Sequence, residues 1–211
     1  MALQTITITY TDSKYLSLVD AASRTPLYHV KVCRQVPQME MIRLSPVPSD
    51  ERNDRAFPED ENAYFQRRVY TAKFKMTSLN VQLQIREHRD VLLSRKSILS
   101  TSYSFTSPAL SAANTTSCSS SAASSSILTW EADQTGNLGD FRLVKEAENE
   151  LDRRVLARFR NKAFSNEQVG TFEVDSGLDQ LVKDEAVISG LAMLSMVQSI
   201  NLAGMVMLGG S

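Results

Sequence analysis

Apolar and polar residues alternate with period two over most of the chain, the signature of strands that present one face to a core. Ile6, Ile8 and Tyr10 alternate with Thr5, Thr7 and Thr9, and Tyr28, Val30 and Val32 with His29, Lys31 and Cys33. Tyr70, Ala72, Phe74 and Met76 oppose Thr71, Lys73 and Lys75; Leu79, Val81, Leu83 and Ile85 oppose Asn80, Gln82, Gln84 and Arg86. Val155, Ala157 and Phe159 oppose Arg154, Arg158 and Arg160, although Leu156 interrupts the polar side. The pattern also predicts strands over 15–20, 39–44, 127–132, 139–144 and 169–175. Turn signals separate them at Asp12-Ser13, Thr135-Gly136-Asn137 and Ser176-Gly177. The total is about ten or eleven short strands.

The C-terminus breaks this period. A helix is predicted from about residue 178 to about residue 201, and from Ala186 to Leu208 the chain carries no charge. Ser176 with Asp179 three residues on resembles a capping box. Asp179, Asp184 and Glu185 sit toward the start, where the helix dipole favours anions. Gly190 inside the helix lowers its propensity. Ile188, Leu191, Met193, Leu194, Met196, Val197 and Ile200 leave no polar face, so the helix belongs inside protein or inside lipid. A barrel of more than about eight strands is too wide for its own side chains to fill. A helix about 10 Å across can plug it. The expected fold is mainly β: a mostly antiparallel barrel of roughly ten to twelve strands enclosing one apolar C-terminal helix. A membrane span is the alternative for the helix, against which stand Ser189, Ser195, Gln198, Ser199 and Asn201.

Two segments interrupt the expected single domain of 211 residues. Residues 46–62 hold three prolines and six acidic residues against Arg52 and Arg55, and are predicted to form a polar surface loop. Residues 100–126 contain 16 Ser or Thr, which predicts a disordered loop with too little apolar surface to offset its ordering entropy. Ser97 after Arg95-Lys96, and Ser107 before Pro108, are weak phosphorylation signals within that reading. The sequon at Asn114 is a chance match in a Ser/Thr-rich stretch.

Charge and rare residues exclude more than they support. The 23 basic and 24 acidic residues nearly cancel, unlike the clear excess of base in a dedicated nucleic-acid binder. No signal peptide is readable in the alternating, uncharged N-terminus, so the expected compartment is cytoplasmic or nuclear, with Cys33 and Cys118 as free thiols. His29 and His88 are expected on the solvated surface. No phosphate-cradling glycine loop, metal motif or nucleophile–base pair is present, so no catalytic residues, metal or cofactor are expected.

The segments Pro26-Leu-Tyr-His-Val30, Ile127-Leu-Thr-Trp-Glu-Ala132, Val155-Leu-Ala-Arg-Phe159 and Gly170-Thr-Phe-Glu-Val174, followed by the apolar helix led by Asp184, occur in that order. In this the chain resembles the tubby C-terminal-like superfamily, which includes the tubby, phospholipid scramblase and LURP-one-related proteins, and most closely a fungal branch of it. It departs at Leu128, where the family tends to have an aromatic, and in the longer serine-rich loop before it. The resemblance implies a twelve-stranded barrel around the C-terminal helix. It also implies a site for a phosphoinositide or other anionic lipid headgroup. Scramblases direct attention to calcium ahead of the last helix, where Asp175, Asp179 and Asp184 stand; capping and the helix dipole explain these more simply.

Arg154, Arg158, Arg160 and Lys162 are the candidate binding residues. A regular strand would put them on one face, and aligned guanidinium groups suit phosphate. The same face could instead keep a strand soluble and blunt its edge. Trp130 is expected in the core. The expected function is a non-enzymatic intracellular binding or scaffold module, with an anionic lipid headgroup or a protein as ligand and a peripheral membrane location if the ligand is lipid. A scramblase-like or tail-anchored membrane-associated protein is the alternative.

Overall fold

A computed structural model describes residues 2–12, 14–44, 69–75, 77–85, 89–97, 100–116, 126–136, 139–146, 153–162, 165 and 167–197. Twelve strands follow in chain order: β1 (Leu3–Asp12), β2 (Tyr15–Asp20), β3 (Pro26–Val32), β4 (Met39–Arg43), β5 (Val69–Lys75), β6 (Asn80–Ile85), β7 (Arg89–Arg95), β8 (Tyr103–Thr106), β9 (Ile127–Ala132), β10 (Phe141–Lys145), β11 (Arg154–Asn161) and β12 (Gln168–Asp175). Helix α1 (Pro108–Thr116) follows β8, and α2 (Gln180–Val197) follows β12. Each strand pairs antiparallel with its sequence neighbours, and β1 pairs with β12 to close the barrel. Thr7 stands opposite Thr171 across that closure. These are the strand number and the enclosed helix that the resemblance implies.

The alternation decides what faces the lumen. Ile6, Ile8, Leu16, Leu18, Val30, Met39, Met41, Val81, Leu83, Leu93, Leu143, Phe159, Phe172 and Val174 are all almost wholly buried. Helix α2 runs through the space they enclose, and every residue from Asp184 to Leu194 is buried. An 18-residue helix is about 27 Å long. Trp130 lies in the core as expected and donates its indole N–H to Ser189 on α2 at 3.0 Å. Gly190 explains its own presence: a Cβ there would come within 2.8 Å of the Phe172 ring and 2.9 Å of Trp130. The propensity lost at that glycine is the condition for the helix to pass these two rings.

α2 is therefore a buried plug, and no helix among the described residues is long and apolar enough to cross a membrane. Its cap differs from the expected box. Asp179 is the N-cap, accepting the Leu181 N–H at 2.8 Å, while Ser176 turns to the Ala2 carbonyl through both its N–H and its hydroxyl. Leu79, expected at the start of β6, instead sits in the preceding turn with φ of 54°.

The largest correction falls between 100 and 116, expected to be a disordered loop. β8 lies there, with Tyr103 and Phe105 buried, and so does α1. β7, another strand with no counterpart among the expected ones, precedes it. Tyr103 and Phe105 alternate with serines and a threonine, and two aromatic residues suffice for a four-residue strand once β7 and β9 flank it. Residues 117–125, like the acidic segment 46–62, lie outside the described residues.

Candidate functional site

β11 carries the arginines singled out in the sequence, but not as one aligned row. Leu143 pairs with Ala157 and Val144 with Val155, so Leu156 is an extra residue in β11. This bulge, with Leu156 and Ala157 both buried, breaks the period between Arg154 and Arg158. Arg158 and Arg160 still alternate with the inward Phe159, and Lys162 follows the strand, exposed.

Carboxylates from neighbouring strands engage this basic face. Arg154 hydrogen-bonds Asp175 at the end of β12. Arg160 meets Asp133 at 3.1 Å and Asp140 at 3.2 Å, both in the β9–β10 connection, and Glu173 at 3.7 Å on β12. Arg158 lies 3.8 Å from Asp133. Glu131 on β9 takes Arg142 at 2.9 Å and Arg153 at 3.0 Å. The arrangement stitches β9 through β12 together, and its cations are already largely spent on internal partners. An incoming phosphate would have to compete with them.

The acids carry the electrostatic consequence. The Arg154 hydrogen bond, aided by the Gly177 N–H, holds the Asp175 carboxyl below the usual range. The Thr135 hydroxyl and N–H, with Arg160 and Arg158 nearby, do the same for Asp133. A carboxyl depressed in the folded state stabilises the fold above its unfolded pKa, and that contribution is lost as pH falls through the folded value. Urea-unfolding free energy is accordingly expected to be nearly flat from pH 7 to about 5 and to decline below about pH 4. Arg154→Met should lower stability at neutral pH and flatten part of the acid decline; an unchanged pH profile would separate Asp175 from this network.

The three aspartates near α2 do not converge on a cation. Asp175 serves Arg154 and Gly177, Asp179 caps the helix, and Asp184 points inward. Among the described residues, no group of His, Cys, Asp or Glu is arranged to hold a metal ion. Asp184 and its neighbour Glu185 are instead buried anchors. Asp184 accepts hydrogen bonds from the Tyr28 hydroxyl at 2.7 Å, the Tyr70 hydroxyl at 2.5 Å and Gln180 at 3.0 Å, and Arg43 stands 3.6 Å away. Burial, with the Asp184 charge beside it, pushes the Tyr28 hydroxyl pKa far up, so Tyr28 stays a neutral donor. Glu185 accepts from Ser107 and from the Ala109 N–H at 2.9 Å. Ser107 in turn accepts the Leu110 N–H at 3.1 Å as the cap of α1. The Ser107-Pro108 dipeptide thus starts a helix and its hydroxyl is buried. Consecutive helix positions point about 100° apart, so the two carboxylates hold different walls of the barrel. The sequence shows two charges at a helix start; it does not show that tyrosines from β3 and β5 meet them.

The sequence reading passed over another basic surface. Lys31 on β3 and Lys73 and Lys75 on β5 point outward, opposite the buried Val30, Val32, Ala72 and the half-buried Phe74. None of the described ion pairs includes them. Cross-strand neighbours of the last two are neutral: Gln82 faces Lys73 and Asn80 faces Lys75. Lys31 pairs in register with Glu40 on β4, outside ion-pair distance. The β3–β4 connection at the same end of the barrel holds Val36, 65% exposed. His29, on the outward face of β3, stacks on Tyr15 with ring centroids 5.0 Å apart. His88 and Cys118 lie outside the described residues. The signal for the lysine face was present in the alternation of β3 and β5, but which cations remain unpaired depends on which acids the fold brings near. No family model matches the chain, and no curated protein or solved structure matches it either.

Proposed function

We propose that the protein is a non-enzymatic binding module that docks on an anionic lipid surface through the outer face of β3–β5. The observation that carries this reading is the set of lysines that form no ion pair among the described residues, Lys31, Lys73 and Lys75, near the exposed Val36. Basic side chains gain about 1 kcal/mol each near an anionic leaflet, and an apolar tip adds burial at the headgroup boundary. The filled lumen supports recognition on the outside rather than cargo within. The resemblance to the tubby C-terminal-like superfamily supports the same ligand class, with the lysine face taking the role first assigned to Arg154, Arg158, Arg160 and Lys162. On this reading the protein is a peripheral component at the cytoplasmic face of a membrane.

Flotation with phosphatidylcholine vesicles, with and without phosphatidylserine, tests it. Binding is expected only with the anionic lipid and should weaken with salt. Lys31→Glu/Lys73→Glu/Lys75→Glu should reduce it by about a hundredfold, from roughly 3 kcal/mol lost over three lysines, while Arg142→Gln leaves it unchanged. Absence of binding to anionic vesicles would remove the lipid reading and leave a protein ligand.

A further inference from the structure

The barrel has an incomplete seam between β7 and β8. Main-chain N–H groups alternate along a strand between its two neighbours. At the end of β7, the Arg95 N–H reaches the Asn80 side chain on β6 at 3.2 Å, and the next N–H, that of Lys96, reaches the Ser102 carbonyl at 3.0 Å. Even-numbered residues of β7 therefore direct their main chain at β8. The β6–β7 ladder runs the whole length from Val81 opposite Leu93 to Ile85 opposite Arg89. The β7–β8 ladder consists of Ser94 opposite Ser104 and Arg95 opposite Tyr103. Leu92 and Thr106, the next facing pair, are not in it, nor is Asp90 beyond them. Just past β8, the Ser107 N–H turns to the Ser126 carbonyl beside β9. Pro108 then starts α1, which Ser107 and Ala109 tie to Glu185. The chain that would have continued along β7 is drawn away over the barrel end.

Exposed apolar and acidic side chains flank the seam. Asp90, Leu92 and Thr106 are exposed. Leu92 on β7 is 49% exposed and Ile127, on β9 across the short β8, is 38% exposed. The Asp90 carboxylate accepts a hydrogen bond from Gln82 at 3.0 Å and belongs to none of the described ion pairs.

We propose that this seam is a docking site for an extended segment of a partner protein, added as a strand along the Asp90–Leu92 edge of β7. Strand addition supplies main-chain hydrogen bonds for affinity and alternate side chains for specificity. The partner segment carries an apolar residue over Leu92 and Ile127 and, two positions away, a Lys or Arg at Asp90. This site is separate from the lysine face and does not rest on it.

The probe is a fluorescein-labelled peptide Ser-Lys-Ser-Val-Ser-Val, titrated against the full chain by anisotropy. Saturable binding is expected. It should weaken about tenfold or more when alternate peptide amides are N-methylated, since a net 1.4 kcal/mol is tenfold and each main-chain hydrogen bond contributes about 1 kcal/mol. Leu92→Asp, an exposed position that the fold tolerates, should weaken it as well. In hydrogen exchange, the Leu92 amide should exchange fast in the free protein and slow down with peptide, while Val91 and Leu93 stay protected throughout. No saturable binding, equal binding of the N-methylated peptide, or a Leu92 amide already protected in the free protein would each overturn the proposal. Protection that grows with protein concentration would assign the edge to a second copy of this chain and overturn it too.

Discussion

Protein lacking residues 180–211 is expected to show no cooperative unfolding transition and to accumulate in the insoluble fraction. Val182, Val187, Ile188, Leu191, Met193 and Leu194 are buried to within a few per cent. Each such side chain contributes about 1.5–3 kcal/mol by burial, so the six together reach roughly 9–18 kcal/mol. That is comparable to the whole net stability of an ordinary domain, about 5–15 kcal/mol. The deletion also exposes the inward faces of twelve strands, which can neither close the lumen nor keep it dry. Leu191→Asp tests the same point with one residue. It places a carboxylate without a partner at a position of zero exposure, at a cost of several kcal/mol. Circular dichroism melts of both variants provide the measurement. A truncated chain with a sharp transition near that of the intact protein would mean the barrel stands without its plug.

Replacing residues 103–116 with a Gly/Ser linker of equal length is expected to be nearly as damaging. Tyr103 and Phe105 leave the core at about 2–3 kcal/mol each. β9 loses four paired positions, from Tyr103 opposite Trp130 to Thr106 opposite Ile127. Glu185, at zero exposure, loses the Ser107 hydroxyl and the Ala109 N–H. Removing two such donors from a buried carboxylate costs about 3–5 kcal/mol. The sum is on the order of 8–10 kcal/mol, most of a typical domain's stability. Ser107→Ala is the graded version, worth about 1–3 kcal/mol because one buried acceptor is left short of a donor. Urea denaturation distinguishes the two. A linker variant as stable as the parent would restore the dispensable loop that composition suggests and would unseat Glu185 as an anchor.

These two segments show why composition succeeded in one place and failed in another. The lumen-facing residues of β1, β3, β5 and β6 were readable because each of these strands repeats its period over three apolar positions, as with Val81, Leu83 and Ile85. Tyr103-Ser-Phe105 offers two apolar positions inside a serine-rich tract, and the local entropy argument outweighed them. Neighbouring strands supply what the segment lacks, because β7 and β9 are held on both sides and need only a short bridge. The bulge at Leu156 was visible as an interruption. Its effect on the arginine row depends on the register with β10.

Local patterning along the chain is enough to set the class of the fold. Period-two alternation followed by a helix with no polar face leaves few arrangements other than a wide barrel with a plug, because both faces of that logic follow from local geometry. Whatever depends on residues distant in the chain is set by the packed fold. Asp184 and Glu185 read as dipole-favoured charges until Tyr28, Tyr70 and Ser107, lying 156, 114 and 78 positions away, surround them. Arg154, Arg158 and Arg160 read as a basic patch until Asp133, Asp140, Glu173 and Asp175 close on them. Lys31, Lys73 and Lys75 look no different in sequence, yet none of them forms an ion pair among the described residues. Whether a charge is available to a ligand depends on its three-dimensional neighbours, since Coulomb energy and desolvation act over a few ångströms of space and not along the chain.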